Sequence, residues 1–182
     1  MSFADVMQNV HAYEVMAADP VWLHDMGPGN LGGLDALEQN LFTGAEIHDS
    51  LGPWAAEAGH GEADARLGAA RQTVADQAVT FLAACAEEFR TRVDEGVRTH
   101  VHGIAETGNV PVMRAHVALM AEQRTLGEQL ARHFLLLEGS GLLGHAAPWL
   151  AQVRARFDYD LGILHEYDRV TREELTTLGH AV

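Results

Sequence analysis

The chain has 182 residues, 47% hydrophobic and 21% charged, the proportions of one globular domain with a substantial core. Its net charge is −14 with histidine neutral, which excludes nucleic acid as a partner and disfavours anionic membrane, because phosphate recognition needs a basic footprint. No apolar run approaches the roughly 20 residues needed to span a bilayer, and the N-terminus has no basic flank of the signal-peptide kind.

Five prolines and 7% aromatics favour helix over sheet. The first helix is expected over 3–18, from the apolar spacing of Phe3, Val6, Met7, Val10, Tyr13 and Met16. Asp19-Pro20 ends it, since a residue before proline avoids the helical region. The stretch VWLHDMGPGNLGG follows, and its glycine-rich part, 27–33, reads as a loop or a lid over a pocket. A second helix is expected over 34–51 with the stripe Leu34, Leu37, Leu41, His48, Leu51. Gly52-Pro53 closes it, and AAEAGHGEAD reads as a polar connector.

The third helix is the longest, expected over 63–106, with a stripe from Leu67 through Val74, Phe81, Cys85 and Phe89 to His100 and Ile104. Gly96 and Gly103 are its expected break points. TGNVP is a turn. A fourth helix, 111–138, carries Met113, His116, Met120, Gly127, Leu130, Phe134 and Leu137. GSGLLGH turns the chain into a fifth helix, 147–178, with Leu150, Val153, Phe157, Leu161 and Leu164. Short connections between long helices imply antiparallel neighbours. The expected fold is therefore all-α: an antiparallel up-down bundle of four long helices plus an N-terminal helix, one domain over residues 1–182. A lone cysteine, Cys85, cannot form an internal disulfide, which suits a reducing cytoplasm.

Histidine is over-represented, with 11 residues. Adding eleven imidazolium charges to −14 leaves −3, so association should depend on pH between about 5 and 7. Several histidines fall on apolar stripes, where a buried imidazole needs a hydrogen bond, a carboxylate or a metal. Counted from the two turns, His100, His116 and His165 come to one level of the bundle. His102 and Glu106, four residues apart, share one helical face and form a chelating pair. Asp160 and Asp168 are carboxylates of the last helix within reach of that level. Imidazole and carboxylate together suit iron or another transition metal. His48 and His133 fall nearer the opposite end, as core or pocket-lining groups, and His11 and Glu14 are spaced to pair.

Two stretches, VPVMRAHVALMAEQRTLGEQL (110–130) and ILHEYDRVTREEL (163–175), resemble hemerythrin-like, HHE cation-binding domains. The resemblance implies a four-helix bundle with non-haem iron, and places His116 where that family has a ligand. The family's H-x-x-x-E signatures before these stretches are replaced here by RVDEGVRT and RFDYD, so His116 alone carries over.

Three function classes follow, the least favoured being a non-catalytic helical interaction protein whose acidic surface seeks a basic partner and whose histidines tune its response to pH. One is a metal-binding bundle, with His100, His102, Glu106, His116 and His165 as candidate ligands, that binds O2 or NO or performs oxidative chemistry. Another is a metal-free bundle that binds a small molecule, or does acid/base chemistry, in an apolar pocket. A homo-oligomer is compatible with each. The Ser140 turn lacks the strand–turn–helix elbow of a serine hydrolase.

Overall fold

Ser2 opens the first helix, α1 (Phe3–Ala18). Its Oγ accepts a hydrogen bond from the Asp5 N–H at 3.2 Å, and the Asp5 carboxylate accepts one from the Ser2 N–H at 2.6 Å. This reciprocal pair satisfies two amides that helix geometry leaves without partners. In the computed structural model, residues 1–19, 31–99 and 109–180 are described. They continue as α2 (Leu31–Leu51), α3 (His60–Thr99), α4 (Val110–Gly139) and α5 (Ala147–Thr177). Single 3-10 turns, Gly52–Trp54 and Gly144–Ala146, lie before α3 and α5. No strand occurs among the described residues, and the fold is an all-α helical bundle. None of the described helices is long and apolar enough to cross a membrane.

Along α3 the apolar stripe read from the sequence is the buried face from Leu67 to Val93. Leu67, Ala70, Val74, Ala78, Phe81, Cys85, Phe89 and Val93 are all buried along α3. Three expectations change. The helix expected to break at Gly96 runs through it, since one glycine costs a helix only about 1 kcal/mol relative to Ala. α2 begins at Leu31 rather than residue 34, so Gly32 and Gly33 are helical. His48 is exposed, within 3.8 Å of both Asp49 and Asp64, and Ile47 takes the buried place beside Leu51.

The chain gathers into two compact units, Met1–Leu82 with His133–Pro148 and Ala83–Arg132 with Trp149–Val182. In the first, Val6, Val10, Tyr13 and Ala17 of α1 pack with Ile47 and Leu51 of α2 and with Ala63, Leu67, Ala70 and Val74 of α3. The two arms of this core are pinned at its edge by Arg66, whose guanidinium donates two hydrogen bonds to Glu14, at 2.8 and 2.5 Å. Gln77 donates to the Ala17 carbonyl at 3.0 Å and so closes the end of α1. His11 lies 3.7 Å from Glu14, as their spacing implies.

In the second unit Phe89 of α3 meets Phe157 of α5, with centroids 5.2 Å apart and planes tilted by 55°. Gly127 of α4 makes that contact possible: a Cβ there would come within 2.7 Å of Leu161 and 3.0 Å of the Phe89 ring. Met113 packs with Leu175, and Arg124 reaches Asp168. Within this unit, therefore, residue numbers fall along α5 as they rise along α4.

Candidate functional site

The first unit holds a concave site of about 360 Å³. One face of α2 supplies Glu38, Leu41, Phe42 and Ala45, which helical spacing places on one side. The end of α4 supplies Leu135, Leu136 and Gly139, and Arg71 enters from α3. Phe42 and Leu135 keep about half of their surface open, 49% and 55%, at a place where apolar walls already converge. Walls of this kind around a few polar groups are the usual make-up of a small-molecule pocket.

The polar groups are few and differ in their support. His133, only 2% exposed, sets its Nε2 3.6 Å from the Glu38 carboxylate. Arg71 lies across Gly44, where a Cβ would come within 3.1 Å of its Cγ. Its Nε is buried without a hydrogen-bond partner among the described residues, and no carboxylate there stands within ion-pair distance. The same glycine admits Tyr13, whose hydroxyl donates to the Asn40 carbonyl at 3.0 Å. Burial pushes the Tyr13 phenol up to about 12, against the pull of the Arg71 charge. Ser140 is occupied within its own turn, donating to the Leu137 carbonyl at 2.7 Å and accepting from the Leu142 N–H at 3.2 Å. Its hydroxyl thus shapes the rim.

Of the histidine level, only His116 and His165 fall among the described residues. His100, His102 and Glu106 lie outside the described residues, as do His24 and residues 27–30 of the glycine-rich stretch. His116 is buried on α4, 4% exposed, between Met113 and Met120 of the same stripe. His165 is exposed on α5. The pairs Met113–Leu175 and Arg124–Asp168 put His116 level with residues 172–175, so His165 stands ~10 Å or more farther along the axis. Counting residues from a turn assumes that both helices leave it level, whereas side-chain packing sets the register. Among the described residues no three His, Cys, Asp or Glu side chains come together to hold a metal ion.

Of the acidic pair named from the sequence, Asp168 is buried and served by two arginines. Arg172 Nε donates to both of its oxygens at 3.0 Å, and Arg124 Nη1 stands at 3.5 Å. The Glu38–His133–Arg71 site was legible only in part: His133 was marked as core or pocket-lining, while Glu38 and Arg71 carry no spacing signal because they come from different helices. No family model matches the chain, and no curated protein or solved structure is significantly similar to it.

Proposed function

We propose that the chain is a small-molecule-binding helical bundle whose site is the cavity between Phe42, Leu135 and Arg71. The observation that carries the reading is Arg71, a guanidinium in an apolar recess with a buried Nε that lacks a partner among the described residues. A buried donor without an acceptor costs roughly 1–3 kcal/mol, and a ligand that supplies the acceptor recovers it. The ligand class is an amphipathic acid: a carboxylate head on Arg71, where guanidinium geometry favours it, and an aliphatic or aromatic body against Leu41, Phe42 and Leu135. Glu38, with His133 3.6 Å away, adds a carboxylate at the same wall. The helices in this reading alternate in direction as an up-down antiparallel bundle.

The test is a titration with octanoate and with benzoate, followed by backbone amide shifts. Saturable shifts at α2 and the end of α4, weakened roughly tenfold or more in Arg71→Met, support the reading. Absence of saturable shifts at these residues, or equal affinity in Arg71→Met, overturns it.

The metal reading retains one supporting observation, the burial of His116 in an apolar stripe. It requires ligands from 100–106, and O2 or NO as the bound species. Elemental analysis of untagged protein after anaerobic Fe(II) addition decides it: about one or two equivalents of iron, reduced in His116→Ala, against none.

A further inference from the structure

A second recess, of about 230 Å³, lies in the other unit between α3 and α5. Ala83 and Ala86 of α3 and Val153 and Phe157 of α5 form its apolar walls, and Trp149 stands at it with 47% of its surface exposed. Asp160 also lines it. That carboxylate belongs to a residue only 7% exposed, and it has no hydrogen bond or ion pair among the described residues. Its sister on the same helix, Asp168, has two arginines. A carboxylate taken out of water without a partner is costly, and a place that retains one is a candidate for an external partner.

The surrounding charges decide the sign of that partner. Four groups face Asp160: Arg156 on its own helix, and Glu87, Arg90 and Asp94 on α3. Arg90 is committed to Glu87, to which it donates twice, and to Asp94 at 3.5 Å. Arg156 is exposed and makes no ion pair among the described residues. With Asp160 ionised the set of five carries one net negative charge, and the buried member is the acid. An anion entering the recess meets that carboxylate, whereas a cation neutralises it. The aromatic faces of Trp149 and Phe157 also favour a cation over an anion.

We propose that this recess is a binding site for a small primary ammonium with a compact apolar body, its nitrogen donating to Asp160 and its body held by Phe157, Val153 and Trp149. An apolar cavity of about 150 Å³ accepts benzene, so an aromatic amine of one ring is within its capacity. Burial holds the Asp160 carboxyl above the usual carboxylate range, with Arg156 opposing the shift. Amine affinity should therefore rise with pH as that carboxyl ionises and then level off.

The probe is benzylammonium, titrated into the full chain at neutral pH and followed by the indole N–H signal of Trp149, which Trp149→Phe identifies. The expected result is saturable binding, weakened roughly tenfold or more in Asp160→Asn and tightened in Arg156→Met, which removes a like charge facing the nitrogen. Benzyl alcohol, which has the same body without the charge, should bind the native chain and Asp160→Asn alike. Circular dichroism checks that the nearly isosteric Asn variant is folded, and the pH profile of the native chain gives the same answer without any variant. No saturation by about 10 mM, or equal affinity in Asp160→Asn, overturns the proposal. So does a pH profile that is flat or falls where the carboxyl ionises.

Discussion

In the first unit the deeply buried ionisable side chain is an imidazole, His133, with the Glu38 carboxylate 3.6 Å away. In the second, which also buries His116 and Asp168, the carboxylate of Asp160 stands with no ion pair among the described residues. Yet the two units pack by the same device. Each places a glycine in mid-helix so that an aromatic ring can approach the backbone: Gly44 under Tyr13, Gly127 under Phe89. The difference lies in what each unit does with charge once the core is closed. The first pairs its buried ionisable group and leaves a guanidinium, Arg71, open to a cavity. The second satisfies Asp168 twice over and leaves Asp160 facing a recess. Packing needs are shared because van der Waals contact is indifferent to sign. Polar needs differ because each buried charge requires its own partner.

The largest effect should come from the ring that anchors the second unit. Phe89→Ala removes a fully buried side chain from Phe157 and Gly127, and should cost about 3–5 kcal/mol in urea unfolding. A loss below about 1 kcal/mol would mean that the contact does not organise the unit.

The paired glycines give the next test. Gly127→Ala and Gly44→Ala should each destabilise by about 1–3 kcal/mol through overpacking, against an ordinary gain from replacing glycine in a helix. Gly44→Ala should cost more. Its Cβ would stand 2.5 Å from the Tyr13 hydroxyl, which is tied to the Asn40 carbonyl, while at Gly127 the nearest atom is a terminal methyl of Leu161. Equal thermal shifts, or the reverse order, would break the parallel between the two sites.

The two acids of α5 should then respond with opposite signs. Asp168→Asn weakens the contacts to Arg124 and Arg172 and should cost about 1 kcal/mol at neutral pH. Asp160→Asn should stabilise. The folded chain holds the Asp160 proton more tightly than the unfolded one does, so this acid's contribution is fully present in acid and declines as pH rises through its folded range. The rise in melting temperature in Asp160→Asn should therefore be clear at pH 7 and shrink towards pH 4. A rise that is the same at both values would mean that ionisation is not its cause.

The smallest effect is in alkali. The Tyr13 phenol is held at about 12 in the folded chain, above its ordinary value of 10.0, so stability should fall as pH rises above about 10. Tyr13→Phe should lose that part of the slope, at a cost of about 1 kcal/mol near neutrality for the missing hydrogen bond to Asn40. Urea midpoints at several alkaline pH values measure both.

The amino-acid order by itself determined the helices and their buried faces. Periodicity is local, and the stripe Leu67, Ala70, Val74, Ala78, Phe81, Cys85, Phe89, Val93 keeps the helical spacing of three or four and is buried throughout. It also marked His116 and His133 as buried, since each falls in or beside an apolar stripe. Tertiary structure alone decided the rest. His48 left the core because Ile47, one position away, gains more by burial and costs nothing in lost hydration. His165 separated from His116 because the register between α4 and α5 is set by pairs such as Arg124 with Asp168, which no spacing within one helix reports. The Glu38–His133 pair joins residues of two helices, and Arg71 joins them from a third. Which polar groups meet, and which are left facing a cavity, depends on how helices pass one another, a property of their packing and not of any single stretch of chain.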